Sequence, residues 1–99
     1  MIILTAEKQT WERKDYDADA SQWLVSGDSI TAVDVSTECI TTPGDAALVV
    51  DAPATFTSQE VKVWVSAGTN GKKYKITLKI TTQAGRKVEC EIIMKVKDI

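Results

Sequence analysis

Three aspartates at alternate positions, Asp15, Asp17 and Asp19, are the residues in this chain whose type and spacing come closest to metal-binding chemistry. Carboxylate oxygens are the ligands that calcium prefers. An EF-hand loop starting at Asp15 would need glycine where Ala20 stands and glutamate where Ser26 stands, so an EF-hand is excluded. The remaining interpretations are a looser calcium site and a solvated acidic edge, and we favour the second. We therefore predict no metal site and no cofactor.

The residue types give little support for catalysis. The chain contains no histidine, which removes the usual general base and the imidazole metal ligand. Its two cysteines, Cys39 and Cys90, cannot complete a structural zinc site without histidine. The Gly68–Lys72 segment superficially resembles a phosphate-binding loop, but only two residues separate its glycines. We predict no catalytic residues and a protein that is not an enzyme.

Tryptophan and lysine side chains are the candidates for binding another molecule. The segment Val61–Val65 alternates, so its three valines share one strand face while Lys62 and Trp64 share the other. Trp64 is the best candidate for an exposed aromatic with a binding role. Trp11 interrupts a polar stretch and is either a core residue or an anchor for a partner. Core is favoured because a small domain needs its large side chains inside. The predicted interaction residues are Trp64, Trp11 and Lys62.

The stretch from Tyr74 to Val96 organises the fold, because apolar and polar residues alternate on both sides of Gln83-Ala84-Gly85. This period of two predicts a hairpin with one buried face. A three-residue loop keeps apolar residues opposite one another and puts Gly85 where a left-handed residue is needed. The predicted pairs are Ile80 with Val88, Leu78 with Cys90, and Ile76 with Ile92. The other apolar positions of the buried face are Tyr74, Met94 and Val96.

Short apolar and β-branched runs separated by turn residues continue through the rest of the chain, from Ile2-Ile3-Leu4 onward, and Trp23 and Leu24 are expected in the core. Tyr74 opens the penultimate strand, and a tyrosine there that hydrogen-bonds back across the corner is a hallmark of immunoglobulin-like sandwiches. The sequence therefore predicts an all-β, immunoglobulin-like antiparallel β-sandwich of about seven short strands, with an isolated barrel as the alternative. We expect one domain over residues 1–99, with residues 1–14 as an extended N-terminal arm.

The charges are unevenly distributed along the chain. Its net charge is −2, but residues 1–60 carry three basic and eleven acidic side chains, whereas residues 61–99 carry nine basic and three acidic ones. The favoured interpretation is that opposite charges pair between neighbouring strands. The alternative is one acidic and one basic surface that meet head to tail in an assembly. A nucleic-acid face lacks interleaved aromatics and is disfavoured; its lysines would be Lys62, Lys75, Lys79, Lys87 and Lys95.

Membrane insertion and export are not expected, because no apolar run approaches the ~20 residues needed to cross a bilayer and the N-terminus lacks a signal-peptide pattern. We expect a soluble protein. Cys90 falls on the buried face of its strand and is expected to act as a small hydrophobe. A Cys39–Cys90 disulfide would form only in an oxidising compartment.

Several segments together resemble a known family. They are Asp15-Tyr16, Asp19-Ala-Ser-Gln-Trp23-Leu24, Gly27-Asp28-Ser-Ile30, Val61-Lys-Val-Trp64-Val-Ser-Ala-Gly68-Thr-Asn-Gly71, Tyr74-Lys-Ile-Thr, Ile80-Thr-Thr82, Gly85-Arg86 and Glu89. On these residues the chain resembles small structural proteins of tailed bacteriophages that have an immunoglobulin-like fold. Ala67 stands where relatives are expected to carry glycine, and the segment 33–50 matches poorly.

The resemblance implies a non-enzymatic virion structural protein, a tail- or neck-associated or fibre-tail adaptor subunit. Its implied partners are connector, tail or fibre proteins, and it is expected to be oligomeric in the particle, without nucleic acid or membrane. Its implied location is the host cytoplasm before assembly and the virion afterwards. The alternatives are a carbohydrate- or receptor-binding adhesin module with an immunoglobulin-like fold and a capsid decoration protein.

Overall fold

A computed structural model describes residues 2–21, 24–51 and 54–98, and these residues form an all-β structure. Within these ranges the strands are β1 (Ile2–Lys8), β2 (Lys14–Asp19), β3 (Ile30–Cys39), β4 (Val49–Val50), β5 (Thr55–Phe56), β6 (Glu60–Ser66), β7 (Lys73–Thr82) and β8 (Lys87–Val96). The described part of the chain has no helix that is long and apolar enough to span a membrane. The predicted all-β class is confirmed.

The strands form two sheets. The first sheet has the order β1-β8-β7-β3, and the second has the order β2-β6-β4, with β5 also paired to β6. Every pairing is antiparallel except that of β1 with β8, which is parallel. The expectation of purely antiparallel sheets is therefore wrong at this edge. No hairpin joins β1 to β8, so a tight turn does not fix their relative direction.

The β7–β8 hairpin has the predicted register. Ile80 lies opposite Val88, Leu78 opposite Cys90, and Ile76 opposite Ile92. At the turn, the N–H of Gly85 donates to the carbonyl of Thr82 at 3.0 Å, and Gly85 has φ +87°. The sequence predicted this register because a slip of one residue would turn the whole apolar set toward water.

The buried faces of the two sheets share one hydrophobic cluster. The second sheet contributes Val61, Val63 and Val65 from β6, all fully buried. The first sheet contributes residues of β7 and β8 that include Tyr74, Ile76, Leu78, Ile80, Cys90, Ile92, Met94 and Val96. Leu24 packs against this cluster as expected. Trp23, also predicted to be core, lies outside the described residues.

Tyr74 fixes the corner between β6 and β7. Its side chain is fully buried, and its hydroxyl oxygen accepts a hydrogen bond from the backbone N–H of Thr69 at 2.7 Å. The predicted bond back across the corner is confirmed. Beside it, Ala67 has φ +67°, a left-handed conformation that favours glycine, which is the residue expected there in relatives.

Lys8, at the end of β1, is a buried cation that the sequence did not single out. It is 1% exposed, and its ammonium group donates to the carbonyls of Gln9 at 2.7 Å and Ala67 at 2.5 Å. Burial lowers the pKa of Lys8, while the carboxylates of Glu12 and Asp98 act in the opposite direction. The two carbonyl contacts satisfy the buried ammonium and tie β1 to the β6–β7 loop.

Both cysteines are buried free thiols. Cys39 lies opposite Tyr74 and Cys90 lies opposite Leu78, which places the two four residues apart along β7. Four residues of strand span roughly 13 Å, well beyond the ~7 Å limit for the Cα atoms of a disulfide. Cys90 is the predicted buried hydrophobe, and burial raises the pKa of its thiol.

Acidic residues of the first half of the chain pair with basic residues of the second half across neighbouring strands. Lys75 Nζ on β7 lies 2.8 Å from Glu38 Oε1 on β3. In the same ladder, Asp34 faces Lys79. For these pairs the favoured interpretation of the uneven charge distribution is confirmed.

Candidate docking surface

The outer face of the second sheet brings together two of the three predicted interaction residues, Trp64 and Lys62. Both lie on β6, the central strand, which pairs with β2 on one side and with β4 and β5 on the other. Because alternate residues point to opposite sides, the three buried valines of β6 place Lys62 and Trp64 outward. The residues Arg13, Asp15, Asp17, Asp51, Lys62 and Trp64 are called the Trp64 face below.

Trp64 is half-buried beneath an arginine. The guanidinium carbon of Arg13 lies 4.6 Å from the centroid of the indole ring, which is a cation–π contact. Arg13 Nη2 also lies 2.5 Å from Asp51 Oδ2, and the N–H of Asp51 donates to the carbonyl of Trp64 at 3.1 Å. Arg13 therefore bridges the sheet over the ring and holds it in place.

Sequence analysis did not identify Arg13, which lies in the polar stretch before β2. Its position above Trp64 depends on the pairing of β2 with β6, between residues about fifty positions apart. The only available signal was a basic residue directly preceding a strand, and that signal is too common to have singled out Arg13.

Lys62 lies between two of the three candidate calcium ligands. Its Nζ is 3.1 Å from Asp15 Oδ2 and 3.8 Å from Asp17 Oδ1. The hydrogen bond to Asp15 raises the pKa of Lys62, and the same bond lowers the pKa of Asp15. A lysine thus supplies the positive charge that a calcium ion would bring. Within the described residues, no group of three or more His, Cys, Asp or Glu side chains is placed to hold a metal.

Asp19, the third of these aspartates, turns toward its own backbone. Its Oδ1 accepts the N–H of Ser21 at 2.9 Å, and the pKa of Asp19 is lowered by this backbone bond. The favoured interpretation of a solvated acidic edge therefore describes residues 15–19 better than a cation site does. The ammonium group of Lys62 lies between Asp15 and Asp17 on this edge.

Trp11 is 95% exposed, so the interpretation that favoured the core is wrong. It sits on the turn between β1 and β2, where the chain passes from the first sheet to the second. The turn is fixed at both sides: the N–H of Glu12 donates to the carbonyl of Gln9 at 3.1 Å, and the N–H of Thr10 donates to Asp98 Oδ1 at 2.8 Å. Tyr74 and the aliphatic residues fill the core instead, and the Trp11 ring projects from an ordered turn.

Most of this chain matches a known protein family. A family model described as Podophage GP4 fiber-tail adaptor protein gp77 matches residues 8–95. A search among curated proteins found no match. The matched span runs from Lys8, the last residue of β1, to Lys95 in β8 and therefore covers β2 to β7 and nearly all of β8. The resemblance to structural proteins of tailed phages is confirmed, and the description is of a structural component rather than a class of enzyme. The chain therefore belongs to the family of podophage fiber-tail adaptor proteins.

Proposed function

We propose that this protein is a non-enzymatic subunit of the phage virion that links fibre and tail by docking its outer surfaces onto connector, tail or fibre proteins. The observation that carries the proposal is the family match over residues 8–95. The protein is present in the host cytoplasm before assembly and in the virion afterwards. Several copies act together in the assembled particle. Docking requires neither a catalytic group nor a cofactor.

The Trp64 face has the composition of a docking surface. Tryptophan and arginine are the residues most enriched among those that dominate interface energies. Here both are ordered in advance, because Arg13 is anchored to Asp51 at 2.5 Å and covers the Trp64 ring. A surface whose side chains are already fixed loses less conformational entropy when a partner binds. The surrounding charges of both signs suit a polar rim.

Trp11 adds a second docking element. Its ring is 95% exposed, while its turn is held by hydrogen bonds to Asp98 and within residues 9–12. An exposed tryptophan on an ordered turn can fill a pocket of a partner at low cost in entropy. Lys62, with a side chain 43% exposed, lies at the polar margin of the Trp64 face.

An immunoglobulin-like sandwich is the architecture we assign to the two sheets. The pairing of β2 with β6, and the order β3-β7-β8 in the other sheet, correspond to the strand pairs B–E and C–F–G of that fold. The bond from Thr69 N–H to the Tyr74 hydroxyl corresponds to its tyrosine corner. In this architecture the loops and outer faces remain available for contacts.

The test is binding of the purified protein to the isolated tail and to the fibre protein of the phage that encodes it. Trp64→Ala and Trp11→Ala should each weaken binding to one of these partners by about tenfold or more, the range of residues that dominate interfaces. Thr77→Ala, on the outer face of the first sheet, is the matched control. Full binding by both tryptophan variants would refute the assigned surfaces, and absence of the protein from purified virions would refute the function.

The alternatives give different results in the same set of measurements. Binding to a glycan array that is lost in Trp64→Ala would favour an adhesin module, although sugar stacking on this ring would have to displace Arg13 from 4.6 Å. Electron microscopy of virions carrying a labelled copy would separate a fibre–tail position from a capsid decoration.

A further inference from the structure

Most charged residues on the outer faces of the sheets lie opposite a residue of the other sign. Asp17 faces Lys62 across β2 and β6, and Lys79 has acidic neighbours on both sides. Among the described residues, two cross-strand pairs instead bring like charges together. Lys73 lies directly opposite Lys95 in the β7–β8 ladder, and Asp19 lies directly opposite Glu60 in the β2–β6 ladder. Like charges in these positions destabilise the isolated sheet.

The two like-charge pairs lie at opposite ends of an elongated molecule of 43 × 22 × 21 Å. Lys73 begins β7 and Lys95 stands at the end of β8, beside the β6–β7 loop. Asp19 ends β2 and Glu60 begins β6, beside the turn that follows β5. We call the first region the lysine end, made of Trp11, Lys73, Lys95 and Lys97. We call the second the acidic end, made of Asp19, Val25 and Glu60.

Neighbouring charges leave the contrast between the two ends in place. Lys95 also lies opposite Glu7 on β1, but within the described residues no carboxylate comes within 4.0 Å of the ammonium groups of the lysine end. At the other end, Arg86 is held by Asp28 at 3.3 Å, and Asp19 binds a backbone N–H. Asp98 at the lysine end and Lys87 at the start of β8 are exposed exceptions. The lysine end nevertheless carries more ammonium groups than carboxylates, and the acidic end presents Asp19 and Glu60 as adjacent carboxylates.

Each end also exposes an apolar side chain. Trp11 is 95% exposed on its ordered turn, which is bonded to Asp98 beside Lys97. Val25 is 49% exposed in the loop between β2 and β3. Contact between an apolar anchor and an apolar patch inside a charged rim is the usual organisation of a specific protein interface.

We propose that copies of this protein associate head to tail, with the lysine end of one copy on the acidic end of the next. The occupant is a second copy because this one chain carries both complementary surfaces, and the contact relieves the like-charge repulsion present at both ends of the free chain. Such a contact is heterologous, so successive copies close into a ring or continue as a filament. The inference deepens the proposed function, which places several copies in one particle.

The test uses the purified full chain and two neutralised variants, analysed by sedimentation velocity over a range of concentrations. The double variant Lys73→Gln/Lys95→Gln neutralises the lysine pair, and the double variant Asp19→Asn/Glu60→Gln neutralises the acidic pair. Wild-type protein should form species larger than the 10.8 kDa chain. This association should weaken about fivefold or more between about 20 mM and about 500 mM salt, because exposed charge pairs are screened.

The mixture of the two variants gives the sharpest result. Each variant alone should remain monomeric, because each lacks one half of the contact. Mixed together they should form a species of two chains and nothing larger, since one intact lysine end meets one intact acidic end. A symmetric contact between identical patches would not give this outcome. Thermal melts of both variants should match or exceed the wild type, because each substitution removes repulsion.

The inference would be overturned if the wild-type protein stayed monomeric at low salt up to millimolar protein concentration. It would also be overturned if neither the substitutions nor added salt changed the association. These results are separable from the docking test. Head-to-tail association without binding to tail or fibre protein would refute the proposed docking alone. Binding to those proteins by a chain that never self-associates would refute this inference alone.

Discussion

Arg13 and Trp64 form a stacked pair, with the guanidinium carbon 4.6 Å from the centre of the indole ring. The same guanidinium is anchored to Asp51, whose backbone N–H bonds to the carbonyl of Trp64. This small closed set of contacts joins the segment before β2, β6 and the segment after β4. It determines how much of the Trp64 ring a partner can reach.

Arg13→Ala is expected to uncover the Trp64 ring. The loss of one exposed cation–π contact should cost about 0.5–1 kcal/mol in the free energy of unfolding. Acrylamide quenching of tryptophan fluorescence should increase, measured in a Trp11→Phe background so that the exposed Trp11 indole does not contribute. Lys14→Ala, which removes the neighbouring cation, is the control. Equal quenching in the Arg13 and Lys14 variants would show that the stacked pair does not shield the ring.

Asp28 links the β2–β3 loop to the β7–β8 turn. Its side chain is 1% exposed; Oδ1 accepts the N–H groups of Ser29 at 2.9 Å and Ala84 at 3.0 Å, and Oδ2 accepts from Arg86 at 3.3 Å. Burial alone would raise the pKa of Asp28, but hydrogen bonds from Thr82, Ala84, Ser29 and Arg86 outweigh it, so its pKa lies below the ordinary value. The folded state therefore favours the ionised form.

Asp28→Asn should consequently lower the melting temperature at neutral pH. A carboxyl whose pKa is lower in the folded than in the unfolded chain contributes stability above about pH 4, and that contribution is lost as the pH falls through the folded value. The difference in melting temperature between wild type and Asp28→Asn should therefore narrow in acid. Asp34→Asn, at an exposed position of β3, is the control. If the difference in melting temperature between wild type and Asp28→Asn stayed constant from neutral pH to about pH 2, the ionised Asp28 carboxylate would not stabilise the fold.

Ala67 and Gly68 should respond to substitution in opposite directions. Ala67 has φ +67°, so Ala67→Gly relieves a left-handed alanine and should stabilise the fold by about 0.5–1 kcal/mol. Gly68 has φ +103°, and a Cβ there would lie 2.8 Å from Val96 Cγ2 and 2.9 Å from Leu48 Cδ2. Gly68→Ala should destabilise by about 2–4 kcal/mol. Urea unfolding measures both variants.

Gly71→Ala provides the matched control for the loop, since Gly71 has φ +85° but no heavy atom within 4 Å of an added Cβ. Its cost should be that of backbone conformation alone, about 1 kcal/mol. A Gly68→Ala variant no less stable than Gly71→Ala would contradict the close contact with Leu48 and Val96.

Tyr74→Phe tests the corner bond. The hydroxyl of Tyr74 accepts the N–H of Thr69 at 2.7 Å in a buried site, and losing that bond should cost about 1 kcal/mol. Tyr16→Phe is the comparison, because its hydroxyl makes only a 3.3 Å bond to the carbonyl of Glu7 at an exposed position. Chemical denaturation should show a loss for Tyr74→Phe and little change for Tyr16→Phe. Equal effects would mean that the corner bond does not stabilise the fold.

Local pattern was enough to predict the hairpin. Apolar residues alternate over twenty residues around Gly85, only one register keeps them all on one face, and the turn then needs a left-handed residue at Gly85. The same logic identified the outward position of Trp64 between buried valines. These features depend on neighbours in sequence or on the nearest hairpin, so periodicity and turn chemistry determine them.

Other features depend on which distant segments meet. The parallel pairing of β1 with β8, the burial of Lys8 beneath the Ala67 carbonyl, and the position of Arg13 over Trp64 all join residues separated by fifty or more positions. The exposure of Trp11 belongs with them, because residue type favoured the core and only the path of the β1–β2 turn placed the ring in solvent. The sequence by itself determined strand faces and the β7–β8 register through the alternation of side chains. The tertiary structure decided which distant strands pair and where the docking surface lies, because a hydrophobic pattern indicates which residues are buried but not which segments pack against them.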